Sequence, residues 1–113
     1  MTDDVIDYQK FLTNLGGSEE VAKAILHDFL LGMPDIDKKI ATLLESLDVS
    51  ETAKFAHKIR GTTSNFCAAG AISCAKKVSE HAAKGQQEQM RDALIALKSE
   101  LDHFGLWILN NVR

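Results

Sequence analysis

From Val5 to Ile108 the apolar residues of this chain recur three and four positions apart, and nowhere do they alternate with polar ones as a half-buried strand requires. That spacing leaves helices as the only regular element, so the fold class is all-α. The punctuation between apolar stretches then divides the chain. A first short helix is expected over residues 4–15, carrying Val5, Tyr8, Phe11, Leu12 and Leu15 and stopped by Gly16-Gly17. Ser18 is an N-cap residue with Glu19 and Glu20 in the first turn, where the helix dipole favours negative charge. The helix it opens turns Val21, Ile25, Phe29 and Leu30 inward and reaches Gly32. Pro34 lacks a backbone donor and either bends or breaks the helix before Ile36, Ile40, Leu43, Leu44 and Leu47.

Asp48 with Glu51 three residues on is a variant capping box for a third segment, ending near residues 66–68. A further helix is expected over 69–84, with Ile72, Ala75, Val78 and Ala82 inward and Gly85 as its stop. The last is expected over 87–112 through Met90, Leu94, Leu97, Leu101, Phe104 and Ile108, with Gly105 as a weak point. Connections of two to four residues make neighbouring helices antiparallel. The expected architecture is an antiparallel up-down four-helix bundle with one or two additional short N-terminal helices, residues 1–113 forming a single domain.

At 113 residues the chain buries roughly two-thirds of its unfolded surface and needs neither metal nor disulfide to fold. A net charge of −3 gives no footprint for nucleic acid. The start, Met1-Thr2-Asp3-Asp4, is acidic where a signal peptide is basic, and no apolar run approaches the ~20 residues of a membrane span, so a cytoplasmic protein without membrane contact is expected. The two cysteines, Cys67 and Cys74, have no C-x-x-C spacing and read as small buried or semi-buried fillers. No glycine-rich nucleotide loop is present to draw phosphate from ATP.

The segment from Ala56 to Thr63 carries the chemistry. A helix turns about 100° per residue, so His57, Arg60, Gly61 and Ser64 share one face with Ala53 just below, while Phe55, Ala56, Ile59, Thr63 and Phe66 form an apolar face centred about 140° away. The histidine therefore points outward. Glycine inside a helix costs about 1 kcal/mol relative to alanine, which makes Gly61 either incidental or a place where bulk beside His57 is harmful. Small residues at 53, 61 and 64 leave a shallow lane for a partner helix. Lys54 and Lys58 lie on the far flank from Arg60, with Lys76 and Lys77 on the next helix, and read as a solvated face or as a means of steering an acidic partner. His27, His81 and His103 have no comparable neighbours and read as surface or boundary residues. No two histidines are spaced i, i+4, so zinc has little support.

At these positions the chain resembles the histidine phosphotransfer family of two-component phosphorelays, four-helix bundles whose core pattern is approximately A-H-x-L-K-G-S-S-x-x-L-G-A. This chain reads A-H-K-I-R-G-T-T-S-N-F-C-A from Ala56. The resemblance implies that His57 is the phosphoacceptor, that Arg60 takes the place of the usual lysine, and that Gly61 is the glycine beside the imidazole. Thr62 and Thr63 take the places of small hydroxyl residues. Two positions depart from the pattern. Arg60 keeps the charge as a planar fork rather than a compact ammonium, and Cys67 stands where glycine is usual. Outside this segment the resemblance is one of helix order, from about Phe11 to Leu101.

The implied role is a phosphorelay intermediate that accepts a phosphoryl group on His57 from one aspartyl-phosphate receiver domain and donates it to another. Histidine's unperturbed pKa of about 6.5 suits a neutral nucleophile. The moving group is negative, so catalysis is chiefly positioning and charge stabilisation, which Arg60 can supply. Partners are receiver domains of a hybrid sensor kinase and of response regulators, docking over Ala53, Gly61 and Ser64. No cofactor of its own is expected, Mg2+ coming from the receiver, and the chain is expected to be a monomer. The competing reading is a non-catalytic helical adaptor that binds receivers without being phosphorylated. A bundle metallohydrolase would need Glu-x-x-His motifs paired on facing helices, and this chain has no such pair.

Overall fold

Side-chain caps start the first three helices, and left-handed glycines stop the first and the fourth, in the computed structural model, which describes residues 5–112. Asp7 Oδ1 accepts the Lys10 N–H at 3.1 Å and opens α1 (Tyr8–Asn14). The helix starts later than the apolar spacing predicts, since residues 5–7 precede it and the expected start at Asp4 lies outside the described residues. It stops in a Schellman motif: Gly17 N–H reaches Leu12 O at 2.9 Å and Gly16 N–H reaches Thr13 O at 3.0 Å. Both glycines are left-handed, at φ 81° and 73°, a conformation side chains resist.

The Ser18 side chain accepts the Val21 N–H at 3.2 Å at the start of α2 (Glu19–Ser46). This helix runs unbroken through Pro34, so one short N-terminal helix precedes the long ones rather than two, and Gly32 lies inside α2 rather than near its end. Proline removes one ladder bond and crowds the preceding turn, but both flanks are held by one core: Ala22, Leu26, Phe29 and Met33 before it, Ile40 and Leu43 after it. Asp48 Oδ1 accepts the Glu51 N–H at 3.0 Å and starts α3 (Val49–Asn65). α4 (Ala69–Ala83) and α5 (Gln87–Asn111) complete the chain, and α5 passes through Gly105 without interruption. Among the described residues there is no strand.

α3 packs along α4, α4 along α5 and α5 along α2, while the backbones of α2 and α3 hardly approach each other. The particle measures 42 × 23 × 22 Å. Phe55, Ala56, Ile59, Thr63 and Phe66 are all buried, as their spacing predicts, and so are the six apolar residues expected on α5. The first half of α2 differs. Val21 and Ile25, expected inward, are 46% and 37% exposed, and Ala22 and Leu26 enter the core instead. The Phe66 ring lies 5.4 Å from Phe11 and 5.2 Å from both Phe29 and Phe104, pinning the exit of α3 to α1, α2 and α5.

Candidate functional site

With its apolar face fixed in the core, α3 presents His57, Arg60, Gly61 and Ser64 to the exterior, and Ala53 half-buried below them. The five residues expected on one face are brought together there. Among the described residues neither the His57 imidazole nor the Arg60 guanidinium has a hydrogen-bond or ion-pair partner. A Cβ added to Gly61 would meet nothing within 4 Å, so no packing inside the chain requires glycine there.

The two threonines face elsewhere. Thr63 is fully buried and its hydroxyl donates back to Ile59 O at 2.8 Å, with Arg60 O at 3.3 Å, while Thr62 Oγ1 donates to Lys58 O at 3.1 Å. Both hydroxyls are occupied by the helix that carries them, so they act on the backbone of α3 and not on a group held at the imidazole.

Beyond Phe66 the chain leaves α3 through a second Schellman motif: Ala68 N–H reaches Thr63 O at 3.1 Å and Cys67 N–H reaches Ser64 O at 3.0 Å. The left-handed residue of that motif is Cys67, at φ 56°. Its carbonyl accepts the Asp7 N–H at 3.0 Å, tying the segment before α1 to this turn. Cys67 and Cys74 are both free and half-buried, Cys67 in the turn and Cys74 within α4.

Sequence reasoning missed the groove between α2 and α3. It has a volume of about 680 Å³ and an apolar lining of Phe29, Ile36, Phe55 and Ile59. Near the α2–α3 connection Lys39 Nζ crosses it to Glu51 Oε1 at 3.8 Å, and Lys54 Nζ meets Glu51 Oε2 at 3.5 Å. Further along, Asp28, Gly32 and Asp35 of α2 stand on one wall, and Lys58 and Thr62 of α3 on the other. A signal was present in the sequence: Asp28 and Asp35 flank Gly32 at helical spacing, and Gly32 and Gly61 are both glycines inside helices.

The other histidines lie apart from this surface. His27 and His103 are exposed, and His81 Nδ1 lies 2.8 Å from Gln86 Oε1 at the end of α4. Among the described residues no group of three or more His, Cys, Asp or Glu side chains is placed to hold a metal ion. No described helix is long and apolar enough to cross a membrane. Comparison with protein-family models, with curated proteins and with solved structures returns no match to this chain.

Proposed function

We propose that this protein is a phosphorelay intermediate, built as an antiparallel up-down four-helix bundle of α2 to α5 with α1 appended, that carries a phosphoryl group on His57 between receiver domains. The observation that carries the reading is the state of His57 itself: exposed, unengaged by its neighbours, and one helical turn from a glycine whose missing side chain leaves the approach open. The bundle reading is supported by the succession of α3 on α4, α4 on α5 and α5 on α2.

In the proposed transfer an imidazole nitrogen of His57 attacks the phosphorus of an aspartyl phosphate, the acyl P–O bond breaks, and the partner's carboxylate leaves with the bonding pair. The second receiver's aspartate reverses the step. Charge spread over the equatorial oxygens is offset by Arg60, three residues from His57 on the same face. Magnesium and the reacting aspartate are assigned to the partner, a reading in keeping with the lack of an acidic cluster around His57 among the described residues. The receiver docks over Ala53, Gly61 and Ser64 and along the α2–α3 groove beside them.

The test is incubation of the wild-type protein and of His57→Gln with a phosphorylated receiver, followed by acid treatment. Acid-labile label on the wild type and none on the variant, with unchanged circular dichroism, supports the assignment. Label retained by the variant moves the site to another residue, and no label on either leaves the adaptor reading in its place.

A further inference from the structure

The α2–α3 groove is electrically two-sided. Lys39 and Lys54 are engaged by Glu51, whereas Asp28, Asp35 and Lys58 make no ion pair among the described residues. The carboxylates stand on the α2 wall and the ammonium on the α3 wall, all three exposed. The Lys39–Glu51 contact marks one point of register across the groove. Seven residues from it along each helix, about 10 Å at 1.5 Å per residue, Gly32 comes level with Lys58 and hence with His57. A Cβ on Gly32 would also meet nothing within 4 Å, so the acidic wall has a gap between Asp28 and Asp35 at that level.

Resting on the phosphorelay reading above, we propose that Asp28, Asp35 and Lys58 are specificity residues. They select a partner helix with a basic flank and an acidic flank, and fix the direction in which it lies. Its apolar stripe rests on Phe29, Ile36, Phe55 and Ile59, its cation enters the gap over Gly32, and its anion meets Lys58. Turning the helix end for end exchanges its flanks and sets like charges together on both walls, so only one direction is accepted. A partner with one sign of charge on both flanks is opposed by one wall whichever way it lies.

Three stapled amphipathic helices sharing one apolar stripe test this. One carries lysines on one flank and glutamates on the other, one carries lysines on both, and one glutamates on both. Fluorescence anisotropy at low salt gives their affinities for the wild type, for Lys58→Glu and for Asp28→Lys/Asp35→Lys. The wild type is expected to favour the two-sided helix by about threefold or more, the scale that exposed ion pairs allow. Lys58→Glu should shift the preference to the all-lysine helix, and the double variant to the all-glutamate helix. The same ranking for all three proteins, or binding of none of the helices, overturns the proposal. The phosphorelay reading fails separately: the expected rankings with no label on His57 from any phosphorylated receiver would leave an adaptor with this specificity, and label without the rankings would leave a relay without it.

Discussion

A Cβ placed on Gly70 would lie 2.8 Å from Glu100 Oε2, so the carboxylate of α5 occupies the space that a side chain in the first turn of α4 would take. Gly61 has no such occupant. The two glycines should therefore respond differently to alanine. Gly61→Ala is expected to stabilise the protein by about 0.5–1 kcal/mol, the helix-propensity gain, while Gly70→Ala gains less because the methyl group must displace the Glu100 carboxylate. Denaturant midpoints at unchanged slope measure both. If a receiver packs over Gly61, the alanine variant also transfers more slowly as its stability rises, and Gly61→Leu is nearly blocked. Full-speed single-turnover transfer by the leucine variant would remove the docking face over Gly61.

Cys67 holds a left-handed conformation in a motif that usually employs glycine, and glycine is what the resembled family has at this position. Left-handed backbone costs a side chain about 1–2 kcal/mol, and glycine returns part of that gain through its freer unfolded state. Cys67→Gly should stabilise the protein by about 0.5–1 kcal/mol. The loss incurred is the packing of the half-buried thiol against the edge of the core and a long contact, Asn14 Nδ2 to Cys67 Sγ at 3.9 Å. A lowered urea midpoint would show that the thiol packs to more effect than its backbone strain.

How far the structure was legible depends on which side chains carried the signal. α3 and α5 place large apolar residues on a single stripe, so their buried faces follow from spacing alone, and with α3 fixed His57 and Arg60 could only point outward. In α2 two rows compete, Val21-Ile25-Phe29 and Ala22-Leu26-Phe29-Met33. Bulk favoured the first, but the structure buries the second, because small Ala22 permits close approach while Val21 and Ile25 remain on the outer row. The charges and glycines of the groove walls could be read from spacing, but the groove itself could not: it depends on α2 and α3 standing apart, a property of the assembled helices rather than of either stretch of sequence.

Burial first, and the Glu100 carboxylate second, push the Cys74 thiol above its ordinary range, with Lys77 pulling the other way. The folded protein therefore keeps this proton at pH values where the unfolded chain, at about 8.5, has begun to lose it. Between those two values the native state binds more protons, so stability falls as pH rises. Cys74→Ser should flatten that alkaline decline. Alkylation at pH 8, followed by mass spectrometry, should find Cys74 slower than glutathione, faster in Glu100→Gln and slower still in Lys77→Ala. Equal rates in all three proteins would mean that neither charge reaches the thiol.

Arg60 separates charge from shape in the proposed chemistry. It is exposed, makes no ion pair among the described residues and shares the outward face of α3 with His57, so its removal should leave stability within about 0.5 kcal/mol. Transfer should respond more strongly. Losing a cation that faces the equatorial oxygens is expected to slow Arg60→Ala by about 10 to 100-fold, equivalent to about 1.4–2.7 kcal/mol of barrier. Arg60→Lys restores the residue usual in the resembled family and keeps the charge without the planar fork, so it should recover most of the rate if charge alone is used. Recovery by lysine assigns Arg60 to electrostatic stabilisation, and continued slowness assigns it to bidentate positioning of the phosphoryl oxygens. An unchanged single-turnover rate for Arg60→Ala under saturating receiver would reduce the residue to a surface cation and leave His57 without a charged partner from its own chain.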